Sequence, residues 1–388
     1  MVYTALFSSR IIHISSKRPT ENVSSFHPQH PFHLQCIKTK REFPLPSVAS
    51  IPYQPINVDY LEREFSGHGV TFKDIVDSCI AKLVLENGST ASLMLPSGLI
   101  TSYKVPMWHG GKVELLHTSV SEGEDGGAVI EGGVSLAFKF ESDGENSWYP
   151  TTWALHDIRG NSQESIQVEL ISTHKEKVEM KHIINLQEDI LSTELVITNK
   201  ISSALQLSGS FLSHLTVSTP DATYAVGLEG SNFISRPPFL SKFGIVPQEE
   251  EKLGFGQLWD EIVHKGPFSG LVSSAKSSAN ELENTRRKSE EGNECEENEN
   301  YKQLHEKMSR IYTSAPQSFT LIDRGRRSSV VVGREGLDEV YMFSPGSSHE
   351  YYSKYAFVCI GQSAMLKPIT LKAGDVWRGV QHLHNPNL

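Results

Sequence analysis

The chain has 388 residues, of which 38% are hydrophobic, so it is long enough to bury a sizeable core. Lysine and arginine total 36 and aspartate and glutamate total 46, and the resulting charge of −10 disfavours non-specific binding to nucleic acid or anionic membranes. No apolar run approaches the roughly 18 residues of a membrane span, and the wide spacing of the four cysteines excludes a disulfide framework and a cysteine-ligated metal centre: Cys36, Cys79, Cys295 and Cys359.

The N-terminal segment has the composition of a targeting sequence. Residues 1–41 hold six basic residues and one acidic residue, Glu21, together with three pairs of serines. A basic, serine-rich and acid-poor segment is typical of a transit peptide, and the sparse arginine favours the chloroplast over the mitochondrion. We predict a chloroplast transit peptide over residues 1–47, with a basic N-terminal tail as the alternative.

The body of the chain has the pattern of β-strands. Polar and apolar residues alternate with a period of two over residues 166–170, 178–183 and 194–198, and residues 128–140 and 319–332 are rich in β-branched residues. Runs of this kind, spaced about 10 residues apart and separated by turn residues, are typical of antiparallel sheets. The sequence therefore predicts an all-β fold, a large antiparallel β-sandwich over residues 48–388.

An acidic segment interrupts this pattern. Residues 290–300 hold six acidic residues and no basic one, and their flanks are polar. Because such a segment buries too little apolar area to offset its ordering entropy, we predict an insertion near residues 241–309 that is disordered over about 275–305. It is either a spacer or an acidic docking arm for a basic partner. The apolar stretch at 239–268 is a second candidate contact region.

Glycine and histidine motifs do not indicate a cofactor. Residues 108–112 end in Gly-Lys, but Val113 follows where a phosphate loop has serine or threonine, and residues 123–133 lack the spacing of a dinucleotide-binding loop. His382 and His384 could share one side of a strand but have no evident third metal ligand. The sequence predicts turns at both glycine-rich stretches and neither a cofactor nor a metal.

A longer, composite pattern resembles a known family. Its runs lie at residues 191–199, 211–218, 224–230, 340–346, 357–361 and 369–377. Their order and spacing resemble the galactose mutarotase-like superfamily, and within it the glucose-6-phosphate 1-epimerase-like branch, over roughly residues 80–385. The resemblance implies a large antiparallel β-sandwich, in agreement with the alternation. It also implies an active-site position for an acid and a base, because ring opening of an aldose requires both.

The positions that carry catalysis in that family are altered here. The family's acid is the histidine of a His-Thr-Tyr-Phe-x-Val-Ser run, and alignment on residues 217–218 places Leu212 there; a two-residue gap would place His214 there instead. The family's base is the glutamate of a Cys-Val-Glu run, where this chain has Gly361. The resemblance therefore implies a degenerate site without catalytic residues, with His214 as a fallback acid.

The sugar-contacting run of the family is also altered. Where active members have His-Gly-Phe-Ala-Arg, alignment on Trp153 places Glu145 at the histidine and Tyr149 at the arginine. A vestigial cleft could still stack a sugar on aromatic rings, and its candidate lining is Trp148, Tyr149, Trp153 and His214. Packing of these rings in the core is the alternative.

The resemblance extends to plastid members of the family without catalysis, through residues 212–225 and 357–361. It implies a structural subunit of the chloroplast NADH dehydrogenase-like complex, in subcomplex B, that supports cyclic electron flow around photosystem I. The implied partners are other subunits of that complex, in a supercomplex with photosystem I. Association with the stromal side of the thylakoid would run through these partners. A plastid sugar-phosphate-binding protein or an active glucose-6-phosphate 1-epimerase remains the alternative.

Overall fold

The computed structural model describes residues 56–75, 78–123, 127–142, 146–175, 177–246, 294–347 and 356–387, all within one unit spanning Pro55–Leu388. The predicted transit peptide lies outside these residues. The described part contains one α-helix, α1 (Val58–Glu64), and a single 3-10 turn at Pro220–Ala222. None of its helices is long and apolar enough to cross a bilayer.

Two large antiparallel sheets contain most of the strands. The first sheet has 12 strands in the spatial order β1 (Val70–Ile75), β2 (Ser78–Val84), β3 (Thr90–Leu95), β4 (Ile100–Pro106), β8 (Val134–Ser142), β13 (Leu205–Thr216), β22 (Phe357–Leu371), β21 (Glu339–Ser344), β18 (Met308–Tyr312), β15 (Asn232–Ser235) and β16 (Glu294–Glu296), with β5 (Lys112–Glu114) paired to β4.

The second sheet has nine strands in the order β17 (Tyr301–Gln303), β14 (Thr223–Val226), β19 (Ser318–Asp323), β20 (Ser328–Glu335), β23 (Val376–His384), β12 (Ile190–Asn199), β11 (Val178–Gln187), β10 (Ser165–His174) and β9 (Ala154–Asn161). A separate two-stranded sheet joins β6 (Thr118–Glu122) to β7 (Ala128–Gly132). The predicted all-β antiparallel architecture is confirmed, and the alternating runs at residues 166–170, 178–183 and 194–198 form β10, β11 and β12.

The main core lies between the two sheets. Buried side chains of both sheets meet there, for example Phe138, Phe211 and Ile360 from the first sheet and Val168 and Leu195 from the second. Burial alternates along β11 and β12, as expected where one face of each strand turns inward. The period of two seen in the sequence therefore follows from this one-sided burial.

A second, smaller core covers the opposite face of the 12-stranded sheet. Its members come from β8, β13, β18, β21 and β22, and from two residues that follow β15. They are Ala137, Leu212, Phe239, Ile245, Ile311, Tyr341, Phe343, Phe357 and Cys359. Both faces of the centre of this sheet are thus buried, which matches the nearly continuous burial along β13 and β22.

The structure corrects the predicted insertion at its C-terminal end. Residues 294–312 form β16, β17 and β18, which pair with strands of both large sheets. Glu297 is only 3% exposed and accepts hydrogen bonds from Arg310 Nη1 at 2.6 Å and Tyr312 Oη at 3.0 Å. The prediction of disorder is therefore wrong for residues 294–305, because Arg310 pairs with the buried Glu297 carboxylate and Tyr312 donates a hydrogen bond to it, and both lie outside the acidic run. Residues 247–293 lie outside the described residues.

Candidate functional site

The two altered catalytic positions are neighbours in the structure. The antiparallel register of β13 and β22 pairs Ser213 with Ile360, and this register sets Leu212 opposite Gly361. Both positions belong to the face of the 12-stranded sheet that carries the smaller core. An acid and a base that act on one sugar ring must lie close together, and both alternatives for the acid meet this condition, since His214 pairs with Cys359 on the same face.

Gly361 has no room for a side chain. A Cβ atom there would fall inside van der Waals contact of Ser210 Oγ and of the Phe211 carbonyl oxygen, and at 3.4 Å from Leu212 Cδ2. The Ser210 hydroxyl is itself buried and lies 2.7 Å from the Phe211 carbonyl oxygen, to which it donates. The base position therefore lacks its carboxylate and also the space that a carboxylate would need.

His214, the fallback acid, is buried on the same face. Its side chain is 1% exposed, its ring lies 5.4 Å from the ring of Phe357, and its Nε2 accepts a hydrogen bond from the Ile245 N–H at 3.4 Å. Burial lowers the pKa of His214 to about 3, because the low-dielectric surroundings disfavour the imidazolium form. A neutral ring without solvent contact is poorly suited to donate a proton to a sugar.

A segment of the chain itself covers this face, and we call residues 239–245 the plug. The Phe239 N–H donates to Tyr341 Oη at 3.0 Å, and the Phe243 carbonyl accepts from the Gly132 N–H at 2.6 Å. Phe239 is 6% and Ile245 is 4% exposed. The apolar stretch at 239–268 is predicted from the sequence to contact partners. For Phe239 and Ile245 this is corrected, because both pack inward; residues 247–268 lie outside the described residues.

The tryptophans proposed for a sugar cleft pack against the main core. Trp148 stacks between Phe140, at a ring distance of 4.4 Å, and His174, at 4.0 Å. Trp153 is 4% exposed and contacts the ring of His182 at 5.4 Å. These contacts agree with the core-packing alternative for both rings.

The other proposed cleft residues lie elsewhere. Tyr149 is 43% exposed, and His214 lies on the opposite face of the 12-stranded sheet from the main core that Trp148 and Trp153 contact. Glu145 lies outside the described residues. The structure therefore does not bring His214 and the two tryptophans to one surface.

The C-terminal histidines have separate partners. His382 Nδ1 lies 2.8 Å from Ser192 Oγ, whereas His384 Nε2 lies 3.0 Å from Asp189 Oδ2. The part of the chain that the structure describes contains no group of three or more side chains placed to hold a metal ion. These two histidines thus make pairwise contacts on the second sheet.

Two known proteins are similar to the chain in sequence. No protein-family model matches it. The Arabidopsis thaliana protein NDH-dependent cyclic electron flow 5 is 52% identical over 349 residues, which cover 89% of this chain and 86% of that protein. The chain belongs to the family of this protein. A Cenchrus ciliaris protein assigned as a glucose-6-phosphate 1-epimerase is 30% identical over 82 residues, or 19% of this chain and 24% of that protein.

Solved structures share the fold. A Salmonella typhimurium protein assigned as a mutarotase superposes with a TM-score of 0.55 at 12% identity, covering 85% of this chain and 100% of the other. The galactose mutarotase-like fold implied by the sequence is therefore confirmed. The sequence motifs indicate Leu212 and Gly361, but they do not indicate the plug. An apolar stretch does not show which surface it covers, or that it folds back on its own chain.

Proposed function

We propose that the chain is a non-catalytic structural subunit of the chloroplast NADH dehydrogenase-like complex, at the position of subunit 2 of subcomplex B, and that it supports cyclic electron flow around photosystem I. The observation that carries this proposal is the 52% identity, over 86% of its length, to a relative named for NDH-dependent cyclic electron flow. Relatives this similar share a fold and most of their surfaces, and a subunit acts through its surfaces.

The geometry of the altered site supports a role without catalysis. Leu212 has no transferable proton, and Gly361 has neither a carboxylate nor space for one. Acid and base each contribute roughly 10²–10⁴ to the rate of such a reaction. The plug, in addition, occupies the face of the sheet on which both positions lie.

The charge of the chain supports attachment through proteins. Removal of residues 1–41, with six basic residues and one acidic residue, leaves a chain more acidic than the full-length charge of −10. Anionic lipids of a membrane surface would repel such a chain. The location that we propose, at the stromal side of the thylakoid and held by other subunits of the complex in a supercomplex with photosystem I, rests on the family resemblance, and the charge is consistent with it.

A plant line that lacks the chain tests this proposal. We expect its thylakoids to contain little of the NADH dehydrogenase-like complex, and we expect expression of the chain to restore the complex. Wild-type amounts of the complex, with undiminished cyclic electron flow, in the line without the chain would overturn the proposal.

The epimerase alternative is tested on the purified protein. Exchange between the anomers of glucose 6-phosphate, followed by NMR, is expected at the uncatalysed rate, because His214 is buried and neutral. Calorimetry with glucose 6-phosphate tests the sugar-binding alternative on the same sample, and no heat of binding is expected. Anomer exchange that is faster than the uncatalysed rate, and that returns to this rate in His214→Gln, would support the epimerase alternative.

A further inference from the structure

We propose that Trp108 is an anchor by which the chain docks into a partner protein, in an apolar pocket rimmed by acidic groups. This inference rests on the proposed function, since it concerns how the subunit is held in its complex. Trp108 is 70% exposed, more than any other large hydrophobic residue among the described ones. Tryptophan is enriched among the few residues that dominate the binding energy of protein interfaces, and an exposed indole ring can supply such a contact.

The turn that carries Trp108 is a fixed structure. It joins β4 to β5, where the Met107 N–H donates to the Gly111 carbonyl at 3.2 Å and the Gly110 N–H donates to the Met107 carbonyl at 2.8 Å. Gly110 and Gly111 have φ angles of +86° and +84°, and nothing lies within 4 Å of a Cβ built at either position. Glycine is thus favoured here by backbone conformation rather than by packing, and the space beside Trp108 stays open.

The C-terminal residues hold the turn in place. The Trp108 N–H donates to the Asn387 carbonyl at 2.8 Å. The Asn387 side chain accepts from the Ser329 N–H at 3.1 Å and donates to the Ser329 carbonyl at 2.6 Å. Asn385 Nδ2 donates to the Pro106 carbonyl at 3.2 Å. The backbone of the turn is thus held in place before binding, which lowers the entropic cost of docking.

The charges around Trp108 indicate the chemistry of the partner. The His109 ring lies edge-on to Trp108 at 5.1 Å, and Lys112 is exposed on the same turn. Residues 106–113 contain no acidic residue, although the chain as a whole has a charge of −10. A pocket with acidic groups at its rim complements this turn. A protein partner presents such acidic groups locally, at the rim of one pocket, whereas an anionic lipid surface would face the whole chain, whose net charge is −10.

The test compares two exposed aromatic residues in a line that lacks the native chain. Trp108→Ala and, as a matched control, Tyr301→Ala are expressed, and native gels with immunodetection measure the fraction of each in the large complex. Tyr301 is 55% exposed and lies on β17. We expect about a 10-fold or greater loss for Trp108→Ala and none for Tyr301→Ala. Full incorporation of Trp108→Ala, or equal losses in both, would overturn the inference.

Three further measurements separate docking to a protein from a folding defect and from lipid binding. Purified Trp108→Ala should keep the Tm of the parent protein, because the side chain is largely exposed. If its Tm is lowered, and if Asn387→Ala and Trp108→Ala lose incorporation into the complex equally, the loss reflects a folding defect and not docking. Lys112→Glu should also reduce incorporation, and wild-type incorporation would contradict the acidic rim. Vesicles of phosphatidylglycerol and galactolipid should not bind the purified chain. Binding that depends on Trp108 would assign the ring to lipid.

Failure of this inference can be told apart from failure of the proposed function. If the unmodified chain enters the complex and Trp108→Ala enters equally well, only the docking role of Trp108 is lost. If the unmodified chain itself stays outside every large complex, the proposed function is lost.

Discussion

Leu212 and Gly361 lie opposite one another on β13 and β22, on the face of the 12-stranded sheet that the plug covers. The plug residues Phe239 and Ile245 belong to the same buried cluster as Leu212. One packed arrangement therefore accounts for three features of the site. The acid and the base are missing at positions 212 and 361, no space is left at Gly361, and the plug covers this face of the sheet. Restoring a single catalytic residue would not reopen such a site.

The packing at Gly361 can be tested by adding one methyl group. Gly361→Ala should lower the free energy of unfolding by about 1–3 kcal/mol, because its Cβ would overlap Ser210 Oγ and the Phe211 carbonyl oxygen. Gly127→Ala is the control, since nothing lies within 4 Å of a Cβ at Gly127. Urea denaturation of the two variants measures the difference. Equal stabilities would show that space is available at Gly361.

The contribution of the plug can be measured by truncating its buried aromatic ring. Phe239→Ala should lower the free energy of unfolding by about 3–5 kcal/mol, because Phe239 is 6% exposed in the smaller core. It should also speed hydrogen exchange at the Ile245 amide, which bonds to His214 Nε2. Tyr301→Ala, at an exposed aromatic residue, should change stability by less than about 0.5 kcal/mol. A similarly small effect of Phe239→Ala would mean that the plug is only loosely attached.

Buried histidines should make the protein sensitive to mild acid. Burial lowers the pKa of both His182 and His214 to about 3, from an ordinary value of 6.5. Between these values the unfolded chain binds protons that the folded chain does not. Stability should therefore be fully present above pH 6.5 and fall as the pH drops toward 3, by about 1.4 kcal/mol per pH unit for each histidine.

A variant separates this effect from other titrations. His182→Leu should have a shallower loss of stability between pH 7 and pH 5.5 than the parent, because it removes a histidine whose pKa burial lowers to about 3. Urea denaturation at several pH values measures each slope. A parental slope in His182→Leu would show that His182 is protonated in the folded protein.

Two substitutions compare the contributions of a buried and an exposed glutamate in the acidic run at residues 294–299 to stability. Glu297→Gln removes the buried charge that faces Arg310 Nη1 at 2.6 Å, and breaking such a pair should cost about 3–5 kcal/mol. Glu296→Gln is matched in chemistry, but the Glu296 side chain is exposed on β16. It should cost less than about 1 kcal/mol. Equal effects would indicate that residues 294–305 do not pack as described.

The fold could be predicted because alternation is local. One-sided burial leaves a period of two along β11 and β12, and this pattern is visible without knowing which strands pair. The acidic run misled the prediction because its composition suggests disorder. The groups that stabilise it, Arg310 and Tyr312, belong to a strand further along the chain.

The candidate site could be predicted only in part. The motifs located Leu212 and Gly361, but their adjacency depends on the register between strands that lie about 150 residues apart in the sequence. Trp148 and Trp153 suggested a sugar cleft because aromatic residues serve equally in binding and in packing. Only their contacts with Phe140, His174 and His182 separate the two uses.

Native gel separation of solubilised thylakoids, with immunodetection of the chain, tests the claim that the chain is a subunit of a large thylakoid complex. We predict signal only in a very large membrane complex. Signal confined to a stromal species no larger than the 43.2 kDa of the chain would contradict the claim.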